Sequence, residues 1–175
     1  MTHIDLKDVL ARTVSSLYGD LVTRRTGEAV RSGIEAMLSD DDETAVIDFG
    51  TVRLMDMSCA DEIVGKLLLA HGLGHYFALT GVHAAHEDAL LPVLERHQLA
   101  VVAEDRTGRL KVLGYLPEPA RRAFGFLADA GPAPPDAVAA HLALTPDVAR
   151  DALQTLCDRR VVRESGGHYQ AVRCA

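Results

Sequence analysis

Apolar and polar positions along this chain switch between helical and strand spacing. In TRRTGEAVRSGIEAML, Ala29, Val30, Ile34, Met37 and Leu38 fall on one helical face, and Thr23 stands where a cap belongs. SDDDE then closes that helix in an acidic turn, and TAVIDF follows as a short strand with Val46 and Ile47 buried. SCADEIVGKLLLAHG returns to helical spacing through Ile63, Val64, Leu67 and Leu68, with Gly72 and Gly74 to end it. HYFALTGV predicts a strand, HEDALLPVLERHQL a helix with Pro92 as a kink point, and AVVAED a last strand; TGRLKVLGYL suits either an edge strand or a link. Residues 23–104 thus alternate helix and strand three times, which predicts an α/β sheet with helices packed on it. The stretch before them is ambiguous. Leu6, Val9, Leu10 and Val14 are spaced as in a helix, whereas RTVSSLY also reads as a strand.

The pattern changes at GYLPEPARR, where Gly114, Pro117 and Pro119 punctuate the chain. A first domain is expected at 1–115 and a second at 116–175. In the second, PEPARRAFGFLADAG is a helix carrying Ala123, Phe124, Leu127 and Ala130 on one side, and APPDAVAAHLAL is a shorter one. TPDVARDALQTLCDRR begins with Thr145 as cap and Pro146 in the first turn. VVRESGGHYQAV reads as two short strands about a Ser-Gly-Gly turn.

Charge changes the picture more than composition does. The 175 residues carry a net charge of −7. All of it lies in residues 1–115, with 11 Lys/Arg against 18 Asp/Glu, while residues 116–175 hold 7 of each. The first part should repel polyanions, and the second is neutral rather than basic. The longest apolar candidate, IVGKLLLAHGLGHYFALTGV, is interrupted by Lys66, two histidines and four glycines, so no membrane span is expected. MTHIDLKDVL lacks the basic and apolar regions of a signal peptide. Cys59, Cys157 and Cys174 are odd in number and show no CxxC spacing, which suits reduced thiols and a cytoplasmic location.

VIDFGTV, then LMDMSCADEIVGKLL, then HYFALTGV and ALLPVLERHQL together resemble a STAS domain, the fold of anti-sigma-factor antagonists and of sulphate-transporter tails. TRRTGEAVRSGIEAML resembles the SR..A..R helix of the bacterial STAS-like family, and SCADEIVGKL its SFADEL helix start; the likeness covers about residues 20–105. The three helices and hairpin of residues 116–175 resemble a winged helix-turn-helix. The fold class implied is α/β, a STAS-like sheet with helices, plus a small α+β winged-helix domain. In the antagonists a DSSG turn holds a serine phosphorylated by a partner kinase. Asp56 matches its Asp and Ser58 its phosphoacceptor, while Met57 and Cys59 depart from the pattern.

Residues 46–62 carry the candidate chemistry. Ser58 is expected at a helix N-terminus, as a cap with Asp61 three positions on, as a phosphoacceptor, or as both, since a capping hydroxyl can also be modified. Phosphate adds roughly −1.5 to −2 charge, and Asp56, Asp61 and Glu62 would make that addition a strong perturbation of a docked partner. The same carboxylates also read as a solvated helix start. DFG at Asp48 lacks the glycine loop, lysine and HRD of a kinase, so Asp48 is expected to bond to a nearby turn. Cys59 reads as a small buried thiol. His71 with His75, and His83 with His86, are spaced for a helix face, but no Cys or carboxylate at ligand spacing completes a metal site.

In a winged helix the third helix commonly reads DNA and the hairpin touches phosphate. The helix face here offers Asp147, Arg150, Asp151, Gln154 and Asp158, a poor approach to a duplex. Arg159, Arg160, Arg163 and His168 remain as phosphate contacts. The leading expectation is therefore a non-enzymatic, cofactor-free bacterial regulatory protein. Its acidic domain docks a protein partner, an anti-sigma-type kinase by resemblance, under control of Ser58. The alternative is a DNA-binding regulator whose STAS-like part dimerises or senses a ligand.

Overall fold

The computed structural model describes residues 1–13, 20–39 and 43–174. Val14 to Tyr18 of the RTVSSLY reading, and Asp40 to Asp42 of the acidic turn, lie outside them.

The chain opens with β1 (Thr2–Asp5) and α1 (Leu6–Thr13), so Leu6, Val9 and Leu10 lie on a helix as their spacing suggests. The short β2 (Asp20–Leu21), α2 (Arg24–Glu35), β3 (Thr44–Asp48) and the short β4 (Leu54–Met55) follow. A helix then runs over residues 57–71 in three parts. α3 (Met57–Ala60) and α4 (Leu67–His71) flank a π-helical segment, Asp61–Lys66. β5 (Tyr76–Thr80), α5 (Ala84–Arg96, with Pro92 inside it), β6 (Ala100–Glu104) and β7 (Leu110–Gly114) complete the α/β part.

The central sheet has the order β1-β3-β5-β6-β7. Its first four strands are parallel, and β7 runs antiparallel as the edge. β2 and β4 form a separate two-stranded parallel ledge. THID has no legible alternation; β1 owes its place to parallel pairing with β3, Ile4 opposite Ile47.

Successive strand residues point to opposite faces, and each face has its own core. Ala45, Ile47, Leu79, Val101 and Ala103 pack with Val9, Ile34, Ile63, Leu67, Leu90 and Leu94 of the helices on one side. Val46, Ala78, Ala100, Val102 and Leu110 face the other way. Burial on both faces explains why the parallel strands read as continuous apolar runs rather than alternating ones.

Residues 116–174 cover that second face. They form α6 (Glu118–Ala130), α7 (Pro135–Leu142), α8 (Pro146–Asp158) and the hairpin β8 (Val162–Ser165) and β9 (His168–Ala171). Thr145 caps α8, as its position before Pro146 predicts. Gly166 and Gly167, at φ of 57° and 78°, make the turn of the hairpin. Phe124 and Leu127 of α6, Leu153 and Leu156 of α8, and Val161, Val162 and Val172 about the hairpin share one core with Val46, Ala78 and Val102 of the sheet. The chain is thus three layered: helices, mainly parallel sheet, then three helices with a hairpin. The expected boundary at 115/116 falls between β7 and α6, and the buried core continues across it. No helix among the described residues is long and apolar enough to cross a membrane.

Candidate functional site

The stretch after β4 is organised by Asp56 rather than by Ser58. The helix begins one residue before Ser58, so Asp56 takes the cap position and its Oδ1 accepts the Cys59 N–H at 2.8 Å. The same oxygen accepts the Ser58 hydroxyl at 2.8 Å, while Oδ2 accepts the Thr23 N–H at 2.9 Å. The Asp56 N–H in turn donates to the Leu21 carbonyl, and the Cys59 thiol donates to the Thr23 carbonyl at 3.0 Å. The expected pairing of a Ser58 cap with Asp61 is therefore corrected. Ser58 is a half-buried hydroxyl leaning on the cap. Burial pushes the Asp56 carboxyl up, but the bonds from Thr23, Cys59 and Ser58 outweigh it and hold the group below its ordinary value. One carboxylate thus ties the start of α2 to the start of α3, and Thr23 adopts φ 77° at that junction.

Three large apolar side chains stand exposed in the segments that meet at this junction. Val22, Leu54 and Met57 are each about half exposed, on the residues that adjoin the β2–β4 ledge and open α3. Large apolar side chains left in water are the kind of surface that a partner covers.

Asp61 and Glu62 are the second correction. They are not a solvated helix start, nor free to meet a partner: Glu62 is fully buried and Asp61 nearly so. Their partners come from elsewhere in the chain. Glu62 Oε1 accepts from Arg24 at 2.6 Å and from Lys66 at 2.5 Å, and Arg31 Nε lies 3.4 Å from Oε2, near enough to attract but not aligned to bond. Asp61 accepts from Arg24 at 3.0 Å and Arg96 at 2.9 Å, and His97 Nε2 lies at 3.1 Å. The arginines of TRRTGEAVR and the acids of SCADE are thus two halves of one ion cluster. Burial raises both carboxyls. For Glu62 the bonds from Lys66 and Arg24, and for Asp61 those from Arg24 and His97, reverse that and leave both below their ordinary values.

Gly27 allows this approach, since a Cβ there would lie 2.9 Å from Glu62 Cβ and 3.0 Å from the Cys59 Cα. Five consecutive residues of the π-helical segment, Asp61 to Gly65, are buried, because α2 and α5 pack against it. The π geometry is rare and frequent at functional sites. No spacing in the sequence announces it.

The remaining candidates are dispersed. Asp48 accepts from the Gly50 N–H at 2.7 Å, the turn bond expected of it. Cys59 is fully buried; burial and the Asp56 charge push its thiol up to about 12, which leaves no thiolate at neutral pH. The ring of His83 stacks on buried His86 at 3.6 Å, and His71 faces Glu35 at 3.3 Å. No group of three or more His, Cys, Asp or Glu is arranged for a metal ion among the described residues.

On α8, Arg150 pairs with Asp147 at 3.0 Å and Gln154 donates to Asp158 at 2.8 Å. Arg160 and Arg163 lie over the ring of Tyr76, at 3.8 and 4.3 Å from its centroid, and Arg163 also bonds Thr44 and Glu43. Arg159 is set over Tyr115 at 6.0 Å. Of the six residues expected to contact nucleic acid, His168 stands exposed at the hairpin turn, and the arginines of the helix end and hairpin fold back toward the sheet. Comparison of the chain with protein-family profiles, with curated proteins and with solved structures gave no match.

Proposed function

We propose that this chain is a cytoplasmic, non-enzymatic regulatory protein. Its STAS-like α/β part docks a protein partner on the surface around Ser58, and its winged-helix part offers a second protein contact. The carrying observation is the junction itself: a half-buried serine hydroxyl bonded to Asp56, in segments that also carry exposed Val22, Leu54 and Met57. A phosphate on Ser58 would stand against the Asp56 carboxylate, which would lose the Ser58 hydroxyl as a donor and keep the Thr23 and Cys59 N–H groups. Like-charge repulsion would loosen the cap and the Thr23 tie together, altering the apolar ledge at the same time. By resemblance the partner is a kinase of the anti-sigma type.

The DNA-binding alternative draws less support from the geometry. Arg150 and Gln154 are engaged by carboxylates of their own helix, and Arg163 by Glu43 and Thr44. Salt-dependent DNA binding at low ionic strength would restore it.

Met57→Glu and Ser58→Asp are each expected to reduce recovery of the native partner by about tenfold or more, a loss of about 1.4 kcal/mol. Ser58→Ala should retain the partner and lose the phosphate-dependent shift on a phosphate-affinity gel after incubation with candidate kinases. Unchanged recovery with both Met57→Glu and Ser58→Asp would remove the docking reading. An identical gel shift for Ser58→Ala would remove the switch.

A further inference from the structure

At the other end of the helix that Met57 opens, about 20 Å away at 1.5 Å per residue, lies a cleft that none of this uses. It has a volume of about 190 Å³ and sits at the N-terminal edge of the parallel strands. Leu68, Leu73, Phe77 and Leu99 supply its apolar walls. About 150 Å³ of apolar cavity suffices to hold a benzene, so this space accepts one aromatic ring or a branched aliphatic group.

Its polar side chains are His75, Asp158, Arg159 and Arg160. His75 lines the cleft and is nine-tenths buried. Its Nε2 lies 3.3 Å from the Ser39 carbonyl, which can only accept, so Nδ1 is left with a lone pair and has no hydrogen-bond partner. Arg159 and Arg160 line the cleft beside the end of α8, and neither has a carboxylate within ion-pair distance among the described residues. Arg160 Nε is buried and bonds to nothing. The one carboxylate in the lining, Asp158, accepts from Gln154. Arg160 also adopts φ 57°, a conformation that glycine takes more easily just past a helix. The chain holds a large cation where backbone geometry favours the smallest residue.

We infer that this cleft is a binding site for a small apolar carboxylic acid, its ring or branched chain among the leucines and Phe77 and its carboxylate on Arg159 and Arg160. Both arginines line the cleft without an ion-pair partner among the described residues, and a guanidinium offers a carboxylate two parallel N–H donors. The apolar wall selects against inorganic phosphate and other fully hydrated anions. His75 Nδ1 accepts from a hydroxyl or amino group where the acid carries one. The site lies between the α/β part and the C-terminal layer, so a ligand there contacts both. It does not depend on the Ser58 reading.

The test is a titration of the full chain with phenylacetate, followed by amide ¹H–¹⁵N spectra. Saturable shifts are expected at Leu73, His75, Leu99 and Arg160. Phenylacetamide, of the same shape without charge, should bind about tenfold or more weakly. Arg159→Gln and Arg160→Gln should each weaken phenylacetate by a similar factor while leaving phenylacetamide unchanged. Leu73→Ser, at a residue 92% exposed and so harmless to folding, should weaken both probes. The inference is overturned by any of three results: no saturable shift up to about 10 mM phenylacetate, equal affinity for acid and amide, or binding indifferent to both arginine substitutions.

Discussion

Glu62→Ala should lower the stability of the fold by about 3–5 kcal/mol, with the lower figure favoured. The carboxylate is fully buried and is the common partner of Arg24, Arg31 and Lys66. Its removal leaves three cations around an emptied site. Arg24 and Lys66 are nearly half exposed and can turn to water, which moderates the loss, but Arg31 has a buried Nε whose charge Glu62 attracts without a hydrogen bond. Chemical denaturation of the variant measures the change directly. The same cluster sets an acid limit. Glu62 and Asp61 ionise below their ordinary values of 4.5 and 3.8. The unfolded chain therefore takes up protons first, and the stability they contribute is complete at neutral pH and lost as pH falls through the folded-state values. Melting temperature should drop steeply below about pH 4.5 in the parent and less steeply in Glu62→Gln. Parallel curves would show that the acid sensitivity arises elsewhere.

The second large effect is expected from removing residues 116–175. Although the sequence reads as two domains, the second face of the sheet is covered by the C-terminal layer, and Val46 and Val102 are fully buried against it. Exposing those two valines alone forfeits about 3–6 kcal/mol, comparable with the 5–15 kcal/mol that holds a typical domain together. Ala78, Ala100 and Leu110 add to this loss. A chain ending at residue 115 should show no cooperative thermal transition by circular dichroism and should bind a hydrophobic dye. A sharp melt close to that of the full chain would establish the first 115 residues as independent.

These two cases mark where the sequence could be read and where it could not. Strands β3, β5 and β6 were legible because burial on both faces writes a continuous apolar run, and α2, α5, α6 and α8 because one apolar face repeats. β1 was not, since Thr2–Asp5 carries a single buried residue and depends on a strand 40 residues later. Asp61 and Glu62 look solvated when only their neighbours are considered. They are buried because Arg24, 37 positions away from Asp61, arrives through the sheet topology. The cap was misread by two positions for a local reason: Asp56 and Ser58 are both good caps, and the helix start decides between them. The order of three helices and a hairpin could be read from the last 60 residues, but not that their apolar sides would face the strands.

The three cysteines turn this layering into something measurable. Cys59 packs in the core between the sheet and the N-terminal helices, whereas Cys157 and Cys174 pack on the opposite side, where Cys174 donates its backbone N–H to Glu104. Burial raises all three thiols, Cys59 and Cys174 up to about 12. In the closed molecule at neutral pH they are therefore poor nucleophiles, and alkylation of fully buried Cys59 must proceed through opening of the layer that holds it, whereas Cys157 and Cys174 are partly exposed. The labelling rate of Cys59 thus clocks the breathing of the N-terminal side, with partly exposed Cys157 and Cys174 as the reference for a thiol that reagent reaches directly. The native sequence carries its own gauge of whether an event in the Arg160 cleft is felt at the far end of the helix that Ser58 adjoins.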